Sequence, residues 1–294
     1  MRKKILVTGA NGQLGQSIAK FVSTYKELEF TFVAQEELEF DPLENIDIYF
    51  QDKVFDVVVN CAAYTAVDKA ETEYELANLV NHLAVKRIAE ICKAKDMSLI
   101  HISTDYVFNG KSYRPYVETD LTEPLNVYGV TKLKGEQAIQ EINPNGVIIR
   151  TGWVYSEFGN NFVKTMLRLG KERDCLSIIF DQVGTPTYAS DLAKAVMVIV
   201  IAESSMLNES NQATCIYHYS NEGVTSWYDF AQTIFDLANI NCQVDAIETK
   251  DYPVPAKRPY YSLLNKDKIK QTYGVKIPYW EKSLSVFVKE LLAP

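Results

Sequence analysis

The N-terminal stretch KILVTGANGQLGQSIA, from Lys4 to Ala19, carries the clearest structural signal in the chain. An aliphatic, β-branched run ends at Thr8, glycines follow at intervals of three residues, and a helix-patterned segment comes next. A glycine turn between a strand and a helix lets backbone N–H groups approach a pyrophosphate, while the helix N-terminus adds positive potential. The spacing G-x-x-G-x-x-G alone is weak evidence, because such turns also occur in proteins that bind nothing. Between a strand and a helix, Gly9, Gly12 and Gly15 predict a dinucleotide-binding turn.

Apolar runs and helix-patterned stretches alternate through the first half of the chain. The runs that we interpret as buried strands are KILVTG, FTFVAQ, FDVVVNCAA, SLIHIST and GVIIRTGWVY. The helices expected between them run from about Gln13 to Tyr25, Pro42 to Gln51, Glu75 to Lys95 and Tyr128 to Gln140. This repetition is typical of βαβ units, in which a parallel sheet is covered by helices on both faces. The predicted fold is therefore α/β, a Rossmann-type doubly wound parallel sheet.

The pattern changes after Trp153, where aromatic and amide-rich loops mix with helices such as Phe162 to Lys171 and Ser226 to Ala238. We interpret this part as a smaller, discontinuous C-terminal domain that covers the carboxyl edge of the sheet. Residues 1–151, together with about 187–217, are predicted to form the NAD(P)-binding Rossmann domain. Residues of about 152–186 and 218–294 are predicted to form the substrate-binding domain.

The composition excludes several classes of protein. The chain of 294 residues has a formal charge of −8, which disfavours a nucleic-acid binder that needs clustered Lys and Arg. The longest apolar run, Ala195 to Ala202, is too short to cross a bilayer, so we expect a buried helix and no membrane partner. The five cysteines are odd in number and lack a C-x-x-C pair, and the three histidines share no metal-like spacing with them. We expect reduced thiols, no metal site and a cytoplasmic protein.

The segment VYGVTKLKGE places Tyr128 and Lys132 four residues apart on a predicted helix. Side chains at this spacing lie on the same face, one above the other. A tyrosine is a poor acid–base group at neutral pH unless a nearby cation lowers its pKa, and Lys132 can supply that charge. A core tyrosine beside a solvated lysine is the alternative. The upstream glycine turn and the hydroxyl of Thr104, at a strand's carboxyl end where open α/β sheets bind ligands, favour a catalytic pair.

Taken together, several motifs resemble the dTDP-4-dehydrorhamnose reductase family of the extended short-chain dehydrogenase/reductase superfamily. The similarity runs from the first strand to about Asn265, and its most specific motifs are YTAVDKAE, STDYVF and RTGWVY. The other motifs are TGANGQLG, NVYGVTKLKGE, GNNFVKTML, DQVGTPT and RPYYSLLN. The resemblance implies the last step of dTDP-rhamnose biosynthesis, in which NADPH or NADH reduces the 4-keto group of dTDP-4-dehydro-β-L-rhamnose. The product is dTDP-β-L-rhamnose.

The resemblance also implies a role for each catalytic residue. Tyr128 is expected to protonate the ketone oxygen as a general acid, and Lys132 to shift the tyrosine pKa towards the working range. Lys132 is also expected to hydrogen-bond the cofactor ribose. Thr104 is expected to hydrogen-bond the ketone oxygen and hold the ketone in line with the hydride.

The binding residues implied by the resemblance fall into two groups. The cofactor group comprises Gly9, Gly12, Gln13, Leu14, Gly15, Asp41, Ala63, Tyr64, Thr65, Tyr128 and Lys132. The substrate group comprises Val67, Thr104, Asp105, Tyr106, Trp153 and Arg258. Trp153 is expected to pack against the sugar, with a hinge-filling aromatic as the alternative. Arg258 is expected to bind the diphosphate through its planar guanidinium, with an ordinary surface arginine as the alternative.

Two features depart from the family pattern. Some members dimerise through a magnesium ion held by three acidic residues, and the matching positions here are Ser17, Ser190 and Glu290. One carboxylate of three predicts that no metal site exists, and the resemblance leaves a homodimer open. At the end of the second strand, Gln35 stands where relatives are often basic, and Glu36 and Glu37 follow. These residues favour NADH, although use of both NADH and NADPH is common in the family.

Two other functions remain as alternatives. The chain could be another sugar-nucleotide short-chain dehydrogenase, either an epimerase or a 4-ketoreductase of a different deoxysugar. Dehydratases of this superfamily carry an Asp-Glu pair, whereas Asp105 is followed here by Tyr106. The chain could also be a non-catalytic nucleotide-binding regulatory subunit, against which Thr104, Tyr128 and Lys132 all argue.

Overall fold

The computed structural model describes residues 2–206 and 214–293. Its strands are β1 Lys3–Thr8, β2 Leu28–Val33, β3 Val57–Asn60, β4 Ser98–Thr104, β5 Gly146–Thr151, β6 Val154–Tyr155, β7 Cys175–Ile179, β8 Val183–Gly184, β9 Thr187–Tyr188, β10 Cys215–His218, β11 Thr225–Ser226 and β12 Gln243–Ile247. Its helices are α1 Gln13–Ala19, α2 Glu44–Phe50, α3 Val67–Ala70, α4 Tyr74–Asn78, α5 Ala84–Ala94, α6 Val127–Ile142, α7 Phe162–Glu172, α8 Ala189–Met206, α9 Trp227–Ala238, α10 Asp267–Tyr273 and α11 Trp280–Leu291.

Six strands form the central sheet in the order β10-β5-β4-β3-β1-β2, and every neighbouring pair is parallel. In the sheet, β2 lies on one side of β1, and β3, the next strand of the chain, lies on the other side of β1. This reversal opens a crevice at the carboxyl ends of β1 and β3, the place where open α/β sheets bind ligands. The doubly wound parallel sheet predicted from the sequence is confirmed.

Both faces of the sheet are covered, which explains why its strands are nearly continuous apolar runs. All residues of β3 and β5 are buried. One face carries Ile5 and Val7 and packs against apolar residues of α1 and α8. The opposite face carries Leu6 and packs against α5 and α6, which contribute Ile88 and Ile139. Alternation along each strand thus assigns every side chain to one helical layer.

Several elements of the second half of the chain surround a separate apolar cluster. Strand β7 pairs with β12, β8 with β11, and β6 with β9. The helices α7, α9 and α11 pack around large aromatic side chains such as Tyr155, Phe230 and Phe287. The division into two domains stays a prediction. Ile269 and Val275 belong to the range 218–294 of the predicted substrate-binding domain, but they pack with the core of the sheet. Residues 207–213 of the range 187–217 lie outside the described residues.

Some expected elements differ in the structure. The predicted strand GVIIRTGWVY is wrong as a single strand, because β5 ends at Thr151 and β6 joins a different pair. Trp153 has a left-handed φ of 52°, which turns the chain between the two strands. The first helix ends at Ala19, and a 3₁₀ turn follows at Val22–Thr24. The expected helix from Glu75 to Lys95 contains a π-helical turn at Leu79–Leu83.

The five cysteines are all free thiols, as the sequence predicts. Within residues 2–206 and 214–293, no helix combines the length and the apolar character needed to cross a membrane.

Candidate active site

The glycine turn brings α1 close to the loops that follow β1 and β3. Gly9 has a φ of 66°, and a side chain there would lie 2.7 Å from the Ala62 nitrogen. A side chain at Gly15 would overlap the Gly9 carbonyl oxygen. Gly12, the residue before α1, makes no side-chain cap and leaves the helix N-terminus open. Backbone N–H groups and the helix dipole therefore face the crevice, which is the arrangement that a pyrophosphate requires.

A cavity of about 580 Å³ lies beside this turn. Its wall includes five of the residues expected to bind the cofactor, namely Gly9, Gly12, Asp41, Ala63 and Tyr64. The six other expected residues do not line it, namely Gln13, Leu14, Gly15, Thr65, Tyr128 and Lys132. Leu14 is buried in the sheet core, so only its backbone can serve a ligand. The cavity is in the size range of small-molecule and cofactor sites, and its position on the open turn fits a dinucleotide.

Acidic and amide side chains line the end of the cavity formed by the loop after β2. Gln35, Glu36, Glu39 and Asp41 line it, and no Lys or Arg occurs among its lining residues in the described part of the chain. The other glutamate considered, Glu37, accepts a hydrogen bond from the Ala34 nitrogen at 3.1 Å instead. The carboxylates that line the cavity are therefore those of Glu36, Glu39 and Asp41, and Glu37 is not among them.

Tyr128, in the first turn of α6, lies next to Thr104, the last residue of β4. The Asn126 side chain caps α6 by accepting from the Gly129 nitrogen at 2.8 Å. A side chain at Gly129 would overlap the Tyr106 carbonyl oxygen, so glycine allows the helix to approach this loop. The Thr104 hydroxyl lies close enough to the Tyr128 phenol to lower its pKa, so two of the expected catalytic residues are neighbours.

The pKa values of the site differ from the expectation for Tyr128. Burial raises the pKa of Tyr128 to about 12, and the hydrogen bond with Thr104 opposes this only in part. Lys132 does not lower it: the Nζ atom donates to the Ile102 carbonyl at 2.6 Å and lies 3.3 Å from His101 Nε2. Burial lowers the pKa of Lys132 to about 8, while Glu136 and Cys61 act in the opposite direction. A phenol that stays protonated at neutral pH is a proton donor.

Asp105 is buried beside the catalytic hydroxyls. Thr104 donates to its Oδ1 at 3.0 Å, and burial raises the pKa of Asp105 to about 6. Hydrogen bonds with Thr104 and Ser262 limit this rise. A side chain at Gly152 would overlap the Asp105 carboxylate, so the loop before Trp153 passes directly over it. The carboxylate therefore orients Thr104 rather than facing open solvent.

Trp153 and Arg258 have protein partners in this structure. The Trp153 ring stacks on Trp227, with centroids 3.5 Å apart and planes at 8°. The Arg258 guanidinium pairs with both carboxylate oxygens of Asp68, at 3.0 and 2.7 Å. Asp68 follows Val67 at the start of α3. Arg258 therefore holds its loop against α3, close to the Tyr106 side chain that packs edge-on against Tyr128 at 5.8 Å.

Sequence reasoning missed Asn81, which lies in the π-helical turn. Its side chain accepts from the Tyr64 nitrogen at 2.9 Å and donates to the Tyr64 carbonyl at 3.0 Å. It also donates to Thr131 Oγ1 on α6 at 3.2 Å. Asn81 thus ties the cofactor loop after β3 to the helix of Tyr128 and Lys132. The available signal was an amide among the apolar residues of a predicted buried helix face.

The Gln13 side chain connects the glycine turn to the loop after β6. Its Nε2 donates to the Val154 carbonyl at 3.3 Å, and its Oε1 accepts from Ser156 at 2.9 Å and Asn161 at 3.1 Å. Ser17 donates to the Gln13 carbonyl within α1. Among the described residues, no group of three or more His, Cys, Asp or Glu side chains could hold a metal ion.

Comparisons with known proteins agree over nearly the whole chain. The model of the family described as RmlD substrate binding domain matches residues 2–293. The dTDP-4-dehydrorhamnose reductase of Aggregatibacter actinomycetemcomitans is 42% identical, over 96% of this chain and 97% of the relative. The reductase of the same name from Escherichia coli K12 is 40% identical, over 98% of this chain and 97% of the relative.

Solved structures give the same result. The crystal structure of a dTDP-4-dehydrorhamnose reductase from Clostridium acetobutylicum has a TM-score of 0.91 and 40% identity, covering 98% of this chain and 99% of that one. The Bacillus anthracis reductase, solved in complex with NADP, has a TM-score of 0.89 and 36% identity, covering 99% and 100%. The chain therefore belongs to the dTDP-4-dehydrorhamnose reductase family.

Proposed function

We propose that this chain catalyses NADH- or NADPH-dependent reduction of the 4-keto group of dTDP-4-dehydro-β-L-rhamnose to dTDP-β-L-rhamnose. The observation that carries the proposal is the pair of neighbouring hydroxyls of Thr104 and Tyr128 at the carboxyl end of β4, with Lys132 buried one turn further along α6. These are the donors that a ketone oxygen needs as negative charge develops on it. The names of the relatives and the NADP complex supply the identity of the sugar nucleotide and the cofactor.

The side chains divide the work of the reaction. A bound reduced nicotinamide supplies the hydride. Tyr128 gives its proton to the ketone oxygen; its pKa of about 12 keeps the phenol protonated until hydride transfer makes that oxygen strongly basic. Thr104 donates to Asp105 in the protein without substrate, and it turns this proton to the same ketone oxygen when the substrate binds. Lys132 binds the cofactor ribose.

The binding residues follow from the same proposal. The turn of Gly9, Gly12 and Gly15 with the backbone of Gln13 and Leu14 holds the pyrophosphate, and the loop at Ala63, Tyr64 and Thr65 lies along the cofactor. Val67, Asp105, Tyr106, Trp153 and Arg258 contact the sugar nucleotide, and Arg258 exchanges Asp68 for the diphosphate. Free cysteines and the use of a reduced dinucleotide support a cytoplasmic location.

A stoichiometric assay of the purified protein tests this function. Incubated with the keto sugar nucleotide and NADH or NADPH, the protein should oxidise one cofactor per sugar reduced, measured by absorbance and product chromatography. Sugar conversion without net cofactor oxidation would identify an epimerase. Cofactor binding without sugar conversion would identify a regulatory subunit, and either result contradicts the proposal.

A further inference from the structure

A row of three polar side chains crosses the buried sheet beneath the site. Thr8 on β1, Asn60 on β3 and His101 on β4 are partners in the strand register. They are 2%, 1% and 0% exposed, although strands of this kind are otherwise apolar. All three lie on the face covered by α5 and α6, where Lys132 is also buried. Polar groups buried this deeply must satisfy one another.

Hydrogen-bond distances connect the row to the catalytic lysine. Thr8 Oγ1 lies 2.6 Å from Asn60 Oδ1, and Asn60 Nδ2 lies 3.1 Å from His101 Nδ1. His101 Nε2 lies 3.3 Å from Lys132 Nζ. At the other end, the Ala62 nitrogen donates to Thr8 Oγ1 at 3.4 Å, and both residues line the large cavity. The chain therefore extends from the catalytic lysine to the wall of the cavity.

Donor and acceptor counting allows two directions for this chain. If Asn60 Nδ2 donates to His101 Nδ1, then a neutral imidazole carries its proton on Nε2 and donates to an uncharged Lys132 amine. A charged ammonium has no acceptor, so it requires the reverse: His101 Nε2 accepts, Nδ1 donates to the Asn60 oxygen, and the amide is turned by 180°. Apart from the exchange of the Asn60 amide oxygen and nitrogen, the heavy atoms stay in place in both cases. Asn60 then donates to Thr8 Oγ1, and the Thr8 proton turns away from Asn60.

We propose that Thr8, Asn60 and His101 form a reversible hydrogen-bond chain that holds the Lys132 amino group in place in both of its protonation states. His101 is a positioning residue in this role, since it acts on the reaction through Lys132. The proposal rests on the function proposed above and adds to it a buried device that responds to the charge of the lysine. A side chain at position 101 that could only donate a hydrogen bond would leave the charged Lys132 ammonium facing a donor, without an acceptor at that contact.

The charged and titratable groups around Lys132 agree with this role. Glu136, one turn further along α6, accepts from Arg150 and Ser103, so it is already paired. The Cys61 thiol has its pKa raised by burial to about 12, and it stays neutral. Burial, reinforced by Lys132, holds the pKa of His101 well below 6.5, so the ring stays neutral while Lys132 titrates near pH 8. The tautomer of His101 is therefore the part of the chain that can change.

Nitrogen NMR of the histidine rings tests the chain directly in the resting protein. The sequence has three histidines, so a His101→Leu variant assigns the ring. We expect a neutral His101 ring protonated on Nδ1 below the Lys132 titration and on Nε2 above it. One unchanged tautomer across the titration, or an imidazolium near neutral pH, overturns the proposal. The spectrum needs no substrate, so its outcome is independent of whether the sugar is reduced.

Variants separate positioning from simple loss of structure. His101→Leu should move the alkaline limb of the kcat/KM profile down by about one pH unit, because the ammonium loses an acceptor. Asn60→Asp, which can only accept, should fix the Nδ1 tautomer and move that limb up. Thr8→Val should abolish the tautomer change without touching Lys132.

The matched control His218→Leu also removes a buried imidazole and should leave the limb unchanged; a shift as large as that of His101→Leu overturns the proposal.

Discussion

Individual side chains explain why the site is an acid in its resting state. Tyr128 is half-buried against Tyr106, and its pKa of about 12 keeps the phenol protonated. Thr104 cannot turn freely, because it donates to Asp105 and accepts from the Tyr106 nitrogen at 3.1 Å. The hydroxyl is thus held next to the phenol before any ketone arrives. The oxygen of Thr104 is therefore already in place when the ketone binds, and only its proton has to turn from Asp105.

The buried Asp105 should reduce the stability of the protein at neutral pH. Its pKa rises from 3.8 to about 6 on folding, so the folded chain binds the proton more tightly than the unfolded chain between these values. Asp105→Asn should therefore raise the free energy of unfolding at pH 7 by up to about 3 kcal/mol, and this gain should vanish near pH 4. Urea unfolding at both pH values measures the difference.

Asp120 provides a control of opposite sign. Arg114 holds the pKa of Asp120 below its usual value, so its ionised form contributes stability that is lost as the pH falls. Asp120→Asn should lower stability at pH 7. A loss of stability in Asp105→Asn at pH 7 would contradict the assignment of Asp105 as a costly buried charge.

Among the secondary-structure elements, α6 carries most of the chemistry. Tyr128, Lys132 and Glu136 follow one another at intervals of four residues, so they lie along one face. Lys132 and Glu136 are 1% and 0% exposed. The pair of Glu136 with Arg150 on β5, joined at 2.7 Å, fixes this face against the sheet. Removing one partner would leave an uncompensated buried charge.

The start of α6 depends on Asn126, whose side chain caps the helix and donates to the Lys257 carbonyl at 2.8 Å. Asn126→Ala should lower the free energy of unfolding by about 1 kcal/mol. It should also raise the substrate KM, because the loop of Arg258 loses an anchor. Asn126→Ser keeps a capping oxygen and should recover most of the stability but not the KM. Denaturant unfolding and steady-state kinetics measure both, and equal stability of the Ala variant and the unmodified protein contradicts this role.

The sequence predicts those elements that depend on local pattern. The strands β1 to β5 and α6 follow from apolar runs and helical spacing, and the glycine turn follows from its position between β1 and α1. The sixth strand of the sheet, β10, was not predicted. The turn at Trp153 and the π-helical turn at Asn81 could not be predicted, because contacts distant in sequence stabilise them. For the same reason the spacing of Tyr128 and Lys132 placed them on one face but could not show that Lys132 points to Ile102.

In the molecule as a whole, the acidic end of the cavity should determine the choice of cofactor. Glu36, Glu39 and Asp41 line that end without a described cation among the lining residues, which disfavours the additional phosphate of NADPH. We expect kcat/KM for NADH to exceed that for NADPH. Gln35→Arg should raise kcat/KM for NADPH by about tenfold or more by supplying a guanidinium.

Steady-state kinetics with both cofactors measure this preference. Gln35→Met, which has a similar volume and no charge, is the matched control and should leave the ratio of the two cofactors nearly unchanged. A preference for NADPH in the unmodified protein would show that the carboxylates at this end do not act on the cofactor.

The fold of the chain, helix α6 and the contact with Thr104 together place the Tyr128 phenol, so the catalytic role of Tyr128 is the central claim. The decisive measurement is the single-turnover rate of cofactor oxidation by Tyr128→Phe, with the cofactor bound and the keto sugar nucleotide in excess. Loss of the proton donor should reduce that rate by about a hundredfold or more while the cofactor Kd stays nearly constant. A rate close to that of the unmodified protein would contradict the assignment of Tyr128 as the general acid.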